Sequence, residues 1–417
     1  MKIALLDLYT YDHHIEYAGE LIKYFQNKQH KVIFITLEKD ELVHHLVKSY
    51  PELKLRTLHR KGTSYYKMNE IPTPHYIFTK TVNDFSTLSR AFKIAEEWGA
   101  KILHLLWVDT TFLLPLYILT HKTWGFKFFC TFFPLTSFIG SKVDHPNYRD
   151  YLKKGYQYFN LILLKIMIRK KSIDGIFIHN VYPQKFKEQV INRVKWISHY
   201  QNRIKFLYDT LCDDYSIYCR EAKARQKLGL PKNIPILLSF GRIRRIKGLD
   251  ILFEAMKLID EKICLVIAGE PDYLSKNDIE RYKRKFRKSH TIIDHLHFIP
   301  ANDVPYYFVA ADAIVMPYRR HYALGTSGIF MQAISARKPV ICSDIGTIGQ
   351  IVKENSFGIT VTPESIQSLA EGILNFLARK EEIKRAVQNP AKQYMIRADW
   401  NRVANIIEET YKKLTPV

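Results

Sequence analysis

Short apolar runs separated by amphipathic stretches of helical period recur along the whole chain. Residues 2–8, 31–36, 102–106, 126–131, 175–178 and 204–208 have the length and branched or aromatic content of buried strands. A polar segment, 213–232, leads into a second series at 236–240, 262–268, 297–299, 313–316 and 339–342. Strands that alternate with helices predict parallel sheets covered by helices on both faces, so the fold class is α/β with two doubly wound domains. The pattern places one domain at 1–210, a second at 211–395, and a closing helix at 396–417.

Length supports the division, because 417 residues exceed what one hydrophobic core usually holds. The five cysteines, Cys130, Cys212, Cys219, Cys264 and Cys342, are odd in number and lack the paired spacing of zinc or redox motifs, which predicts a reducing cytosol. The run 2–8 is too short and too soon interrupted by Asp7 for a signal peptide, and no run reaches membrane-spanning length. A net charge of +22 calls for a polyanionic partner. Nucleic-acid signatures are lacking, so an anionic membrane surface is expected, with the protein peripheral on the inner, cytoplasmic face.

One helix bears on that expectation. Within 151–171, Leu152, Tyr156, Phe159, Leu163 and Met167 form a face that should pack on a sheet. Leu161, Leu164 and Ile168 fall on another side, among Lys153, Lys154, Lys165, Arg169, Lys170 and Lys171. That second stripe either enters a lipid headgroup region or is buried by a neighbour such as the apolar segment 112–139. The basic run 281–288 reads as a solvated helix face.

The most specific signal lies in the second half. Ser239-Phe240-Gly241-Arg242 ends a strand, Lys247-Gly248 opens a helix, and a small-residue loop at Thr326, Ser327 and Gly328 precedes an amphipathic helix running toward Pro339. Free N–H groups and the positive end of a helix dipole favour an anion there, and Arg242 and Lys247 would add charge-assisted hydrogen bonds. Arg244 and Arg245 leave open that the loop is only a basic turn. With Val266-Ile267-Ala268-Gly269 and the 311–317 strand, these pieces resemble the carboxyl-terminal domain of GT-B glycosyltransferases, most closely family 4 (group 1), from about residue 236 to the end.

The resemblance implies two Rossmann-like domains facing a cleft and a final helix that crosses back to the first. It implies transfer of a sugar from a nucleotide diphosphate donor, UDP- rather than GDP-linked, to an acceptor hydroxyl on a glycan or lipid-linked molecule. Retention at the anomeric carbon and a role in cell-surface polysaccharide or glycolipid synthesis follow, with no cofactor and no metal. The donor-binding positions would be Gly241, Arg242, Lys247, Gly269, Ile299, Thr326, Ser327, Gly328, Ile329 and Gln332. Two glutamates usual in the family are replaced here by Leu324 and Gln332. Gln332 can still bond ribose hydroxyls, whereas Leu324 can only pack.

The first domain departs further. A glycine pair expected after the first strand is replaced by Tyr9-Thr10-Tyr11-Asp12-His13-His14, and a histidine expected after the 126–131 strand is replaced by Phe132 and Phe133. His13 and His14 are candidates for orienting phosphate or accepting the acceptor proton; the alternative is a helix-entry turn capped by Asp12. Asp109 is a further candidate base or, alternatively, a helix cap, and His104 reads as a satisfied core residue. A non-catalytic nucleotide-sugar or membrane-binding homologue, and another GT-B enzyme such as an epimerase, stand as alternative functions.

Overall fold

The computed structural model describes residues 1–8, 12–37, 43, 46, 48–50, 52–58, 74–108, 113–120, 123–133, 148–210, 213–286, 288–320 and 327–415; side chains at 12, 13, 74–80, 113–115 and 148–157 are outside that description. Two compact units result, one of Met1–Leu207 with Trp400–Val417 and one of Tyr208–Asp399.

Among the described residues the first unit holds β1 (Lys2–Asp7), β2 (Lys31–Leu37), β3 (Lys54–Leu58), β4 (Ile102–Leu105), β5 (Lys127–Phe132), β6 (Gly175–Asn180) and β7 (Ile204–Tyr208) in the order β3-β2-β1-β4-β5-β6-β7, with β7 ending one residue past the unit boundary. Neighbours run parallel, as in β1 on β2 and β4. The strand order reverses beside β1, so the helix Asp12–Asn27 and the end of β4 meet at a switch point, where doubly wound sheets open a ligand crevice.

The second unit carries β8 (Ile236–Phe240), β9 (Cys264–Ala268), β10 (Thr291–His295), β11 (Ala313–Met316), β12 (Val340–Ser343) and β13 (Gly358–Val361) in the order β10-β9-β8-β11-β12-β13. Again β8 sits at the reversal, between β9 and β11.

Sequence patterning finds the outer strand β7 but misses the outer strands β3 and β13. β3 reads Lys-Leu-Arg-Thr-Leu and is mostly exposed, and β13 begins at a glycine; edge strands are only half covered and lack a continuous apolar run. The strand expected at 297–299 is instead β10, six residues earlier in its start. Phe298 is 59% exposed while Ile299 is buried, so that short run is a connection with one anchored side chain.

Trp400–Leu414 closes the first unit. Val403, Ala404, Ile407 and Tyr411 recur at helical spacing and pack with Leu21 and Phe25 of the helix Asp12–Asn27 and with Phe177 of β6. The Tyr411 hydroxyl lies 2.5 Å from His104 Nδ1, and His104 Nε2 lies 2.7 Å from the Thr131 hydroxyl. Both ring nitrogens are therefore paired, and burial, with a smaller push from His179, lowers the His104 pKa to about 3. It is a neutral core histidine.

The helix Tyr148–Arg169 corrects one expectation. Leu163, Leu164, Met167 and Ile168 are all buried in one core, with Leu161 partly buried against it, and Phe159 is 45% exposed. Positions 163, 164, 167 and 168 span a single broad face, so the supposed lipid stripe is core. The helix Leu113–Thr120 packs against it. The expected packing of Leu152 and Tyr156 lies outside the described side chains. No described helix is long and apolar enough to cross a membrane.

Glu408 generates a testable consequence. Burial alone would raise its pKa, but hydrogen bonds from Lys412, His30 and Tyr24 lower it from 4.5 to about 2. A carboxylate depressed on folding stabilises above its unfolded pKa, and that contribution disappears as pH falls from about 4.5 through about 2. The shift corresponds to about 3 kcal/mol. Urea unfolding should show Glu408→Gln less stable than wild type by that order at pH 7, with the gap shrinking steadily below pH 4.5.

Candidate functional site

In the second unit the carboxyl ends of β8 and β9 touch through backbone. Gly241 (φ +82°) follows β8 and Gly269 (φ +138°) follows β9, and a Cβ on Gly269 would stand 2.5 Å from the Gly241 carbonyl oxygen. Only glycine fits there, sterically and conformationally. A Cβ on Gly241 would in turn lie 2.8 Å from Lys247 Nζ and 3.2 Å from Ile329 Cδ1. Gly241 and Lys247 of one loop thus converge with the distant Ile329 at the end of one strand.

Lys247 reaches back over this strand end, and its ammonium donates to the Phe240 carbonyl at 3.2 Å. Burial and then the nearby Arg244 lower its pKa to about 8. Arg242 is exposed and lies 3.5 Å from the Asp272 carboxylate, which Arg244 also approaches at 3.9 Å. An incoming anion would exchange with Asp272 for Arg242. Arg319 holds the loop in place: it donates to the Arg245 carbonyl at 3.0 Å and pairs with Asp250 at 2.5 Å and Glu364 at 3.2 Å.

The helix Gly328–Ser335 begins beside the same strand end. Ser327 is its N-cap: the hydroxyl accepts from Phe330 N–H at 3.3 Å and lies 3.2 Å from the Tyr318 hydroxyl. Capping at Phe330 leaves the Gly328 and Ile329 N–H groups without intrahelical acceptors. An added Cβ on Gly328 would meet nothing within 4 Å, so the helix start is open on the side of that Cβ. Gln332 stands one turn further along the same face and is half-buried. Of the other expected donor positions, Ile299 is buried in the connection after β10, and Thr326, with Leu324, lies outside the described residues.

The first unit gathers a second cluster. His14 lies in the first turn of the helix Asp12–Asn27. It is 3% exposed, and its Nδ1 lies 3.0 Å and 3.2 Å from the two Asp7 carboxylate oxygens at the end of β1. His14 stacks on Trp107 at 3.8 Å, Trp107 on Phe133 at 4.0 Å, and Phe133 on His179 at 4.3 Å. The Tyr17 hydroxyl closes the row, 3.1 Å from His179 Nε2.

A row of four near-parallel rings therefore lies across the ends of β1, β4, β5 and β6. Phe133, which replaces an expected histidine, is the third ring and separates Trp107 from His179, and a histidine enters instead from β6. Sequence reasoning missed Asp7, Trp107, His179 and Tyr17. The signal for Asp7 was a lone carboxylate ending a buried strand; His179 carried the same kind of signal at the end of β6. The side chain of His13 and all of Asp109 lie outside the description.

Residues 220–393 match the family model for glycosyl transferases group 1. The matched residues fall within the second unit, and the chain as a whole has the GT-B fold of the solved structures below. It is 29% identical over 152 residues to the glycosyltransferase TuaC of Bacillus subtilis (strain 168), named for teichuronic acid biosynthesis, covering 36% of this chain and 35% of that protein. It is 25% identical over 217 residues to the alpha-D-kanosaminyltransferase of Streptomyces kanamyceticus, covering 50% and 54%. The chain thus spans between about a third and about half the length of these curated relatives. The sucrose-phosphate synthase of Thermosynechococcus elongatus shares its fold at a TM-score of 0.69 with 18% identity over 99% of both chains. Anabaena HepE, solved with UDP, does so at 0.68 with 13% identity, covering 99% and 100%.

The Lys247 amine gives the site a pH signature. Its proton leaves as pH rises through about 8, whereas a bound diphosphate would favour the ammonium. UDP affinity should fall between pH 7 and pH 9, by up to about tenfold, with proton uptake on binding near pH 8. Calorimetry in buffers of different ionisation enthalpy measures that uptake, and Lys247→Ala should remove it.

Proposed function

We propose that the protein transfers a sugar from a nucleotide diphosphate sugar, UDP-linked in preference to GDP-linked, to an acceptor hydroxyl. The convergence of Gly241, Lys247 and the Ile329 side chain beside the start of the helix Gly328–Ser335 carries this reading. A diphosphate is the ligand class that uses all of these groups at once. As the bond between the anomeric carbon and the diphosphate breaks, negative charge collects on the leaving oxygens, and Lys247, Arg242 and the helix dipole offset it. This is work a metal ion does in other sites, so the reading is metal-independent and needs no cofactor beyond the donor.

Gln332, one turn beyond Gly328 on the helix Gly328–Ser335, would bond the ribose. Retention at the anomeric carbon and an acceptor in cell-surface polysaccharide or glycolipid synthesis complete the proposal, the latter supported by the relative named for teichuronic acid biosynthesis. A peripheral position on an anionic membrane fits the charge of +22.

On the acceptor side, His14 with Asp7 is the proposed proton-handling pair. The carboxylate on Nδ1 fixes the ring and its tautomer, leaving Nε2 as the atom to take the proton of the acceptor hydroxyl. His13 and Asp109 remain candidates for the same role from sequence.

Two measurements test the reading. Arg242→Ala and Lys247→Ala should each weaken UDP binding by about 1.5 to 3 kcal/mol and leave uridine binding unchanged; equal affinity in all three proteins makes the loop a basic turn. Because His14 is buried in a ring stack, His14→Ala would also cost stability, so His14→Gln and Asp7→Asn are the informative variants. Each should lower single-turnover transfer about 10²-fold to 10⁴-fold with UDP affinity intact. UDP binding with no transfer in wild type would identify a non-catalytic homologue instead.

A further inference from the structure

The helices Pro74–Glu97, Leu113–Thr120 and Tyr148–Arg169 pack side by side on one core of the first unit. Their inner sides supply Leu88, Phe92, Leu116, Leu119, Leu164 and Met167 to that core. Their outer sides are unusual. Apart from Met1 and Ile406, every exposed large apolar side chain described in the first unit belongs to this layer: Val82 and Phe85, Ile118, then Tyr158, Phe159 and Ile162. Tyr158 is 69% exposed and Val82 and Ile118 are each 49% exposed, so these are protruding side chains and not the margins of a core. Single exposed apolar residues are ordinary, but their concentration on three adjacent helices marks a surface that is covered by something.

The charge on the same layer says what covers it. From Tyr158 to Lys171 the outer face passes from apolar residues to Lys165, Arg169, Lys170 and Lys171, and the segment holds no acidic residue. A second copy of the chain would bring like charges together, with +22 on each, which disfavours self-association. An anionic bilayer accepts both features: apolar and aromatic side chains enter the headgroup and acyl boundary while lysine and arginine remain among the phosphates.

We propose that the outer side of this three-helix layer seats on an anionic lipid surface, with Phe85, Ile118, Tyr158, Phe159 and Ile162 inserting and Lys165, Arg169 and Lys170 contacting headgroups. The proposal deepens the peripheral reading given above and moves the inserting face away from Leu164 and Ile168, which are core. It does not depend on the transfer chemistry. It predicts two separable contributions, one sensitive to salt and one not.

The test is co-sedimentation with phosphatidylglycerol–phosphatidylcholine vesicles and with pure phosphatidylcholine vesicles, at low and high salt. Wild type should bind the anionic vesicles at least about tenfold more tightly than the neutral ones. Phe159→Ser with Ile162→Ser should weaken anionic binding about tenfold or more at every salt concentration, because the lost contribution is insertion. Lys165→Gln, Arg169→Gln and Lys170→Gln together should weaken it chiefly at low salt and flatten its salt dependence. All these side chains are exposed, so unchanged thermal unfolding and unchanged UDP affinity should accompany both effects. Loss of vesicle binding with UDP affinity intact separates this surface from the donor site. Vesicle binding by both variants equal to wild type overturns the proposal, as does light scattering that shows a dimer dissolved by the Phe159→Ser, Ile162→Ser variant.

Discussion

The second unit depends on a contact with no side chain in it: the backbone of Gly269 against the carbonyl of Gly241. Because β8 and β9 end within reach of one another, the strand that follows the topological reversal can turn sharply and free its carboxyl edge. Lys247 folds over that edge and the helix Gly328–Ser335 abuts it through Ile329. A methyl group at position 269 would push the two strand ends apart and disperse the donors that now converge. In the proposed reading, recognition of a diphosphate would rest on backbone approach first and on cationic side chains second.

Charge placement around that edge follows the same economy. The basic loop is neither free nor rigidly neutralised. Arg319 pins its backbone through the Arg245 carbonyl, while Asp272 holds Arg242 and Arg244 loosely at 3.5 Å and 3.9 Å in exposed positions. Exposed pairs of this length contribute little to stability, so Arg242 can be exchanged to an anionic ligand at small cost. Lys247 differs, because burial already disfavours its charge. A bound diphosphate would relieve that strain, which makes the lysine the more selective of the two cations.

The first unit solves a different problem. Its sheet end is filled by a row of rings, with His14 held by Asp7 at one end and His179 by Tyr17 at the other. Stacking fixes ring planes and the paired carboxylate fixes the tautomer, so both histidines are positioned by neighbours on four strands and a helix. The closing helix Trp400–Leu414 contributes to the same ordering from below, through Tyr411 on His104 and Glu408 on Tyr24 and His30.

What the sequence determined by itself was whatever depends on local pattern. Largely buried strands such as β1, β8 and β11 announce themselves as apolar runs, and small residues ahead of an amphipathic run announce a helix start. Edge strands β3 and β13 were not legible, since half-exposed strands carry a mixed pattern. The two apparent stripes of the helix Tyr148–Arg169 were legible as positions but not as faces: only packing on a common core decided that 163, 164, 167 and 168 are one side and that Tyr158, Phe159 and Ile162 are another. Pairings across long chain separations were decided by tertiary structure alone. Asp7 with His14 follows from a strand end and a helix start lying together, and Phe133 between Trp107 and His179 requires three strands in register. Such contacts have no sequence period, because it is sheet order that sets which strand ends become neighbours.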